Sequence, residues 1–89
     1  MKFIIKKCTT LVNMYYIALV NNINEFGFIN DSLTARYLGL TKDKYQNILK
    51  SHNAIKPINC IDYYFKSKKD AEETIKILEL YLIMEKLTK

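Results

Sequence analysis

Tryptophan is missing from this 89-residue chain, and several other residue types are nearly so. There are two glycines, one proline, one histidine and a single arginine against thirteen lysines. Each shortage excludes something. Gly27 and Gly39 lie too far apart to form a glycine-rich phosphate loop. A lone His52 leaves no nucleophile–base pair. Together with Cys8 and Cys60 it falls short of the about four ligands of a structural zinc site. The cysteines form no CxxC motif and are expected as free, half-buried thiols in a reducing compartment, with a Cys8–Cys60 disulfide as the alternative. No apolar run approaches the ~20 residues of a membrane span. The apolar part of the opening "MKFIIKKC" is too short for a signal peptide. A cytoplasmic chain with no membrane partner is therefore expected. Asp62 is the one carboxylate that sits on a predicted strand, and acid–base catalysis would need a second one beside it. No enzyme activity, cofactor or metal is expected.

What is there is a globular composition. Nearly half the residues are hydrophobic, enough for one core in one domain, residues 1–89. The net charge is +5 and uneven: residues 1–20 and 42–60 are basic, while the last stretch balances six lysines against six acids. A basic excess attracts acidic partners such as nucleic acid. The dominance of lysine, with abundant isoleucine and asparagine, also fits an AT-rich coding genome. DNA readers prefer arginine for its bidentate fork, and Arg36 is the only one here.

Local pattern predicts the order β-β-α-α-β-α. Lys2–Lys6 and Met14–Val20 are rich in strand formers. A helix over Thr10–Phe26 competes with the second strand, because Val12, Tyr16, Leu19, Ile23 and Phe26 keep helical spacing. "NNINEFGFIND" reads as turn material. Asp31 or Ser32 is the expected cap of a helix through Leu38, and Gly39 its C′ residue. Thr41 caps the next helix, Lys42 to about Ser51, and Pro57 breaks the chain. "CIDYYFKS" alternates as a half-buried strand, with Ile61, Tyr63 and Phe65 inward. Ser67 and Asp70 open a last helix with Ala71, Ile75, Leu78 and Leu82 as its core stripe. His52 is expected to serve as a surface cap at a helix C-terminus. The expected fold is α+β: a three-stranded antiparallel sheet with a helix pair and a long C-terminal helix on one face.

Three surfaces compete for function. "LTARYLGLTKDKYQNILKSH", Leu33–His52, has the punctuation of a DNA-reading helix-turn-helix, with Ala35 and Gly39 at the crossing and turn positions. Its outer face would offer Arg36, Lys42, Lys44, Gln46, Asn47 and Lys50 to duplex DNA. Asp43 on that face opposes phosphate. The far face of the sheet should show Tyr16, Ala18, Tyr64 and Lys66, a patch suited to a protein partner or to stacking single-stranded bases. The end of the last helix leaves Leu80, Ile83 and Leu87 over, marking a partner or homodimer contact unless this segment instead adds a strand.

The segments "DSLTARYLGLTKDKYQNIL" and "YYFKSKKDAEETIKILE" resemble small phage and prophage proteins of AT-rich bacteria. The shared features are structural, and no site residue carries over. The resemblance implies an accessory protein of a mobile element. Such a protein would dock on a host or defence-system protein, as anti-CRISPR inhibitors do, or regulate transcription. The expected function is thus non-enzymatic binding of a protein partner, with duplex DNA as the alternative.

Overall fold

β-branched and aromatic residues at the start of the chain fold back as an antiparallel hairpin. Strand β1 (Lys2–Lys7) pairs with β2 (Tyr15–Val20), with Ile4 opposite Ala18 and Lys6 opposite Tyr16. The computed structural model describes residues 2–11, 13–20, 27–28 and 30–87, with backbone only for 27–28 and 85–87. The strand reading of 15–20 holds over the competing helix; residues 21–26 lie outside the described set. The two-residue β3 (Gly27–Phe28) pairs with the end of β2. Three helices follow: α1 (Asp31–Tyr37), α2 (Lys42–Lys50) and α3 (Lys68–Leu87). Helix α3 packs on β1 and β2, and α1 packs on α2.

The expected three-stranded sheet is not formed. Beyond the β1–β2 hairpin the sheet carries only the two-residue β3, and residues 60–66 do not make its third strand. That segment makes only isolated β-bridges, Tyr15 with Phe65 and Ile55 with Tyr64, and no ladder among the described residues. The reason lies in its backbone groups. The Ile61 carbonyl accepts from the Gln46 amide at 3.1 Å, and the Tyr63 N–H donates to the Asp31 carboxylate at 2.9 Å. A strand ladder has no claim on groups already spent on helix side chains. Asn59 adds a left-handed turn, φ 66°, just ahead of the segment. The observed order is β-β-β-α-α-α.

The helix ends follow their residues. Asn30, not Asp31 or Ser32, caps α1, accepting from the Leu33 N–H at 2.8 Å. With Asn30 in the cap, the Asp31 carboxylate turns inward to Gln46 and Tyr63. Gly39 at φ 75° closes the helix: its N–H reaches Arg36 O, and the Leu40 N–H reaches Ala35 O. Thr41 caps α2 through Lys44 N–H at 3.1 Å. Asn53, φ 68°, plays the glycine role after α2, with the Ala54 N–H bonded to Leu49 O. His52 places Nδ1 3.3 Å from Ile48 O in the last turn of α2.

The core gathers Ile17, Leu19, Ala35, Leu38, Tyr45, Leu49, Phe65, Ala71, Leu78 and Leu82. Ala18 and Val20 point to the opposite sheet face and are buried as well. The expected exposure of Ala18 is therefore wrong. Thr74 sits fully buried in the α3 stripe because its hydroxyl donates to Asp70 O one turn back, at 2.8 Å.

Candidate functional site

Asp31 occupies the first turn of α1, where a carboxylate faces the positive end of the helix. It is only 6% exposed. Its Oδ2 accepts from Gln46 Nε2 on α2 at 2.9 Å and from the Tyr63 N–H. Its own N–H donates to Asp62 Oδ1 at 3.1 Å. Four residues from three distant stretches of the chain thus clip the helix pair to the 60–66 segment, and the clip brings two carboxylates together. Burial pushes the Asp31 carboxyl above its ordinary value, and the Asp62 charge adds to this; the Gln46 and Tyr63 N–H groups and, least, Lys42 pull the other way. Below them, burial and both carboxylates push the Tyr45 phenol far up, so this core tyrosine stays neutral.

The same segment brings two tyrosines together. Tyr15 and Phe65 exchange both backbone hydrogen bonds at 2.8 Å. One residue further along each backbone, Tyr16 and Tyr64 therefore face each other. Their rings meet edge to face, 6.3 Å between centroids and 83° between planes. A cleft of about 320 Å³ opens here, lined by Lys7, Tyr16, Asp31, Asp62, Tyr63 and Tyr64 among others. Cys8 also lines it. The thiol of Cys8 lies 3.4 Å from the Thr10 hydroxyl, which holds its pKa down. Both cysteines are free and half-buried.

The residues expected for DNA fall on a different surface. Lys44, Asn47 and Lys50 are exposed along α2 and Arg36 is exposed on α1, while Lys42 is half-buried. Gln46 is engaged: its Nε2 donates to both Asp31 and Ile61. The bidentate contact with adenine needs those donors. A shallower groove of about 310 Å³ runs past Asp43, Gln46, Asn47 and Lys50 to Tyr63. Of the residues expected for a partner, Tyr16 and Tyr64 meet in the cleft, and Lys66 is exposed beyond it. Leu80 and Ile83 are exposed on α3, joined by Met84. Helix α3 runs through to Leu87, whose side chain lies outside the described residues.

Sequence reasoning missed the acidic pair, because Asp31 read only as a helix cap and Asp62 as an isolated strand residue. No local spacing links Asp31 to Tyr63 across 32 residues. It also placed Ile61 inward, whereas Ile61 is 70% exposed and Ile58 90% exposed. Pro57 just before Ile58, and the left-handed Asn59 after it, are the local signal of a protruding turn. Among the described residues no three His, Cys, Asp or Glu side chains gather to hold a metal ion, and no helix is long and apolar enough to cross a membrane. No protein-family model, no curated protein and no solved structure matches this chain.

Proposed function

We propose that this chain is a small cytoplasmic binding protein, not an enzyme, that docks on a protein partner through the Tyr16–Tyr64 cleft. The partner would be a host or defence-system protein, and the chain an accessory factor or inhibitor of mobile-element type. One observation carries the reading: two half-buried tyrosines face each other in the lining of a cleft, with Lys66 exposed two residues on from Tyr64. Tyrosine supplies large contact area with few rotors to freeze and a hydroxyl for a wet rim. Asp31 Oδ2 and Asp62 Oδ1 are fixed in place by N–H donors of the fold, which supports a rigid binding surface over acid–base chemistry. The test is retention of a protein by the immobilised chain from bacterial lysate. Retention should survive Lys44→Glu with Lys50→Glu and vanish with Tyr16→Ala or Tyr64→Ala. The opposite pattern would overturn the reading.

A second reading, a helix-turn-helix that binds duplex DNA, draws on exposed Lys44, Asn47 and Lys50 behind the Gly39 turn. It requires salt-sensitive DNA binding, lost with Lys44→Ala and Lys50→Ala. A weak contact between two copies through Leu80, Ile83 and Met84 is a further proposal, since these exposed side chains lie at helical spacing on one face. Three side chains fall well short of the roughly 800 Å² per partner of a standard interface. Sedimentation equilibrium decides: a mass that rises with concentration, and does not in Leu80→Asp, supports the contact, and a constant monomer mass removes it.

A further inference from the structure

The cleft has an acidic end at Asp31 and Asp62, and among the described residues no lysine or arginine forms an ion pair with either carboxylate. Asp31 and Asp62 are held by amide N–H groups, from Gln46, Tyr63 and Asp31 itself. Lys42 is the weakest of the influences on Asp31. A buried carboxylate without a cation is costly to keep charged. It is placed here in a chain whose net charge is +5. The walls are aromatic, and rings 83° apart leave at least one face of each uncovered by the other. The volume, about 320 Å³, is at the small end of the ~300–1,000 Å³ of ligand sites. That suits one long side chain better than a cofactor. Carboxylates repel phosphate, so nucleic acid has no place at this end of the molecule. A carboxylate pair beside tyrosine faces is the set that a guanidinium answers. Its planar fork meets carboxylate oxygens, its face stacks on an aromatic ring, and it sheds water more readily than an ammonium.

Resting on the reading of this cleft as the protein-docking surface, we infer that it accepts an arginine side chain of the partner, guanidinium toward Asp62 and Asp31 and stem against Tyr16 and Tyr64. Lys7 lines the same cleft from the end of β1 and opposes the guest, which sets a limit on affinity and supplies a control. The net positive charge of the whole chain also works against any cationic guest, so binding here has to come from the cleft and not from general attraction.

The experiment is an NMR titration of the ¹⁵N-labelled full chain with the capped peptide Gly-Gly-Arg-Gly-Gly. The neutral isostere with citrulline in place of arginine is run alongside. Saturable shifts are expected at Tyr16, Asp62 and Tyr64. Citrulline should weaken them by about tenfold or more, as should Asp62→Asn, which keeps an acceptor for the Asp31 N–H. Lys7→Ala should tighten binding. Equal binding of the two peptides, shifts confined to α2, or no effect of Asp62→Asn overturns the inference. Partner retention lost with Tyr64→Ala but unchanged in Asp62→Asn would also overturn it, while leaving the docking surface intact. Loss of the docking surface itself would show as retention that survives Tyr64→Ala.

Discussion

At Asp31 one carboxylate oxygen takes donors from two different parts of the chain, the Gln46 side chain and the Tyr63 backbone. Removing it leaves the Tyr63 N–H without a partner and Gln46 Nε2 with the Ile61 carbonyl alone. An orphaned buried donor costs about 1–3 kcal/mol, so Asp31→Ala should destabilise by about that much in urea unfolding. Asp31→Asn keeps an acceptor oxygen and should cost much less. The pH dependence has a definite sign. Burial raises the Asp31 carboxyl above 3.8 in the folded chain, so the folded form holds this proton to higher pH than the unfolded form. Its contribution is full below 3.8 and is lost as pH rises through the raised folded value. The stability of the natural chain relative to Asp31→Asn should thus fall as pH rises across that window. A flat difference in paired urea melts would show that the fold leaves the Asp31 carboxyl at its unfolded value, and would contradict the burial-driven rise.

At the scale of elements, the α1–α2 turn depends on Gly39, held at φ 75°. A Cβ in the left-handed region costs roughly 1–2 kcal/mol, so Gly39→Ala should lose about that much in chemical denaturation. Helix α3 separates its faces clearly. Leu78 is fully buried and Leu80 exposed. Leu78→Ala should cost about 2–5 kcal/mol, and Leu80→Ala about 0.5 kcal/mol or less, in thermal unfolding. Equal losses would mean that α3 buries a different face. These elements were readable in advance because their signals are local. Gly39, Thr41 and the stripe Ala71, Ile75, Leu78 and Leu82 act within one turn of themselves. The segment 60–66 was not readable. Its alternation is that of a strand, but what shapes it is two side chains from the helix pair, Asp31 and Gln46, which take its backbone groups. Asn30 took the cap for a similar reason, since Asp31 was committed inward.

Over the whole molecule the two candidate surfaces separate. Asn47 and Lys50 of α2 line the outer groove, and Tyr16 of β2 with Tyr64 of the 60–66 segment lines the cleft, with Tyr63 lining both. Tyr16 and Tyr64 could be nominated from sequence, because alternation put them on one sheet face. The carboxylates behind them could not, since only the folded chain brings residues 31 and 62 together. The net charge of +5 pointed toward nucleic acid, yet an acidic pair lies in the tyrosine-lined cleft. The measurement that tests docking through the cleft most directly is photo-crosslinking in bacterial cells. A benzoylphenylalanine is placed at Lys66 beside the cleft or at Asn47 on α2, both exposed positions. The account predicts a protein adduct from position 66, abolished by Tyr16→Ala, and none from position 47. A nucleic-acid adduct from position 47, with nothing from position 66, would contradict it.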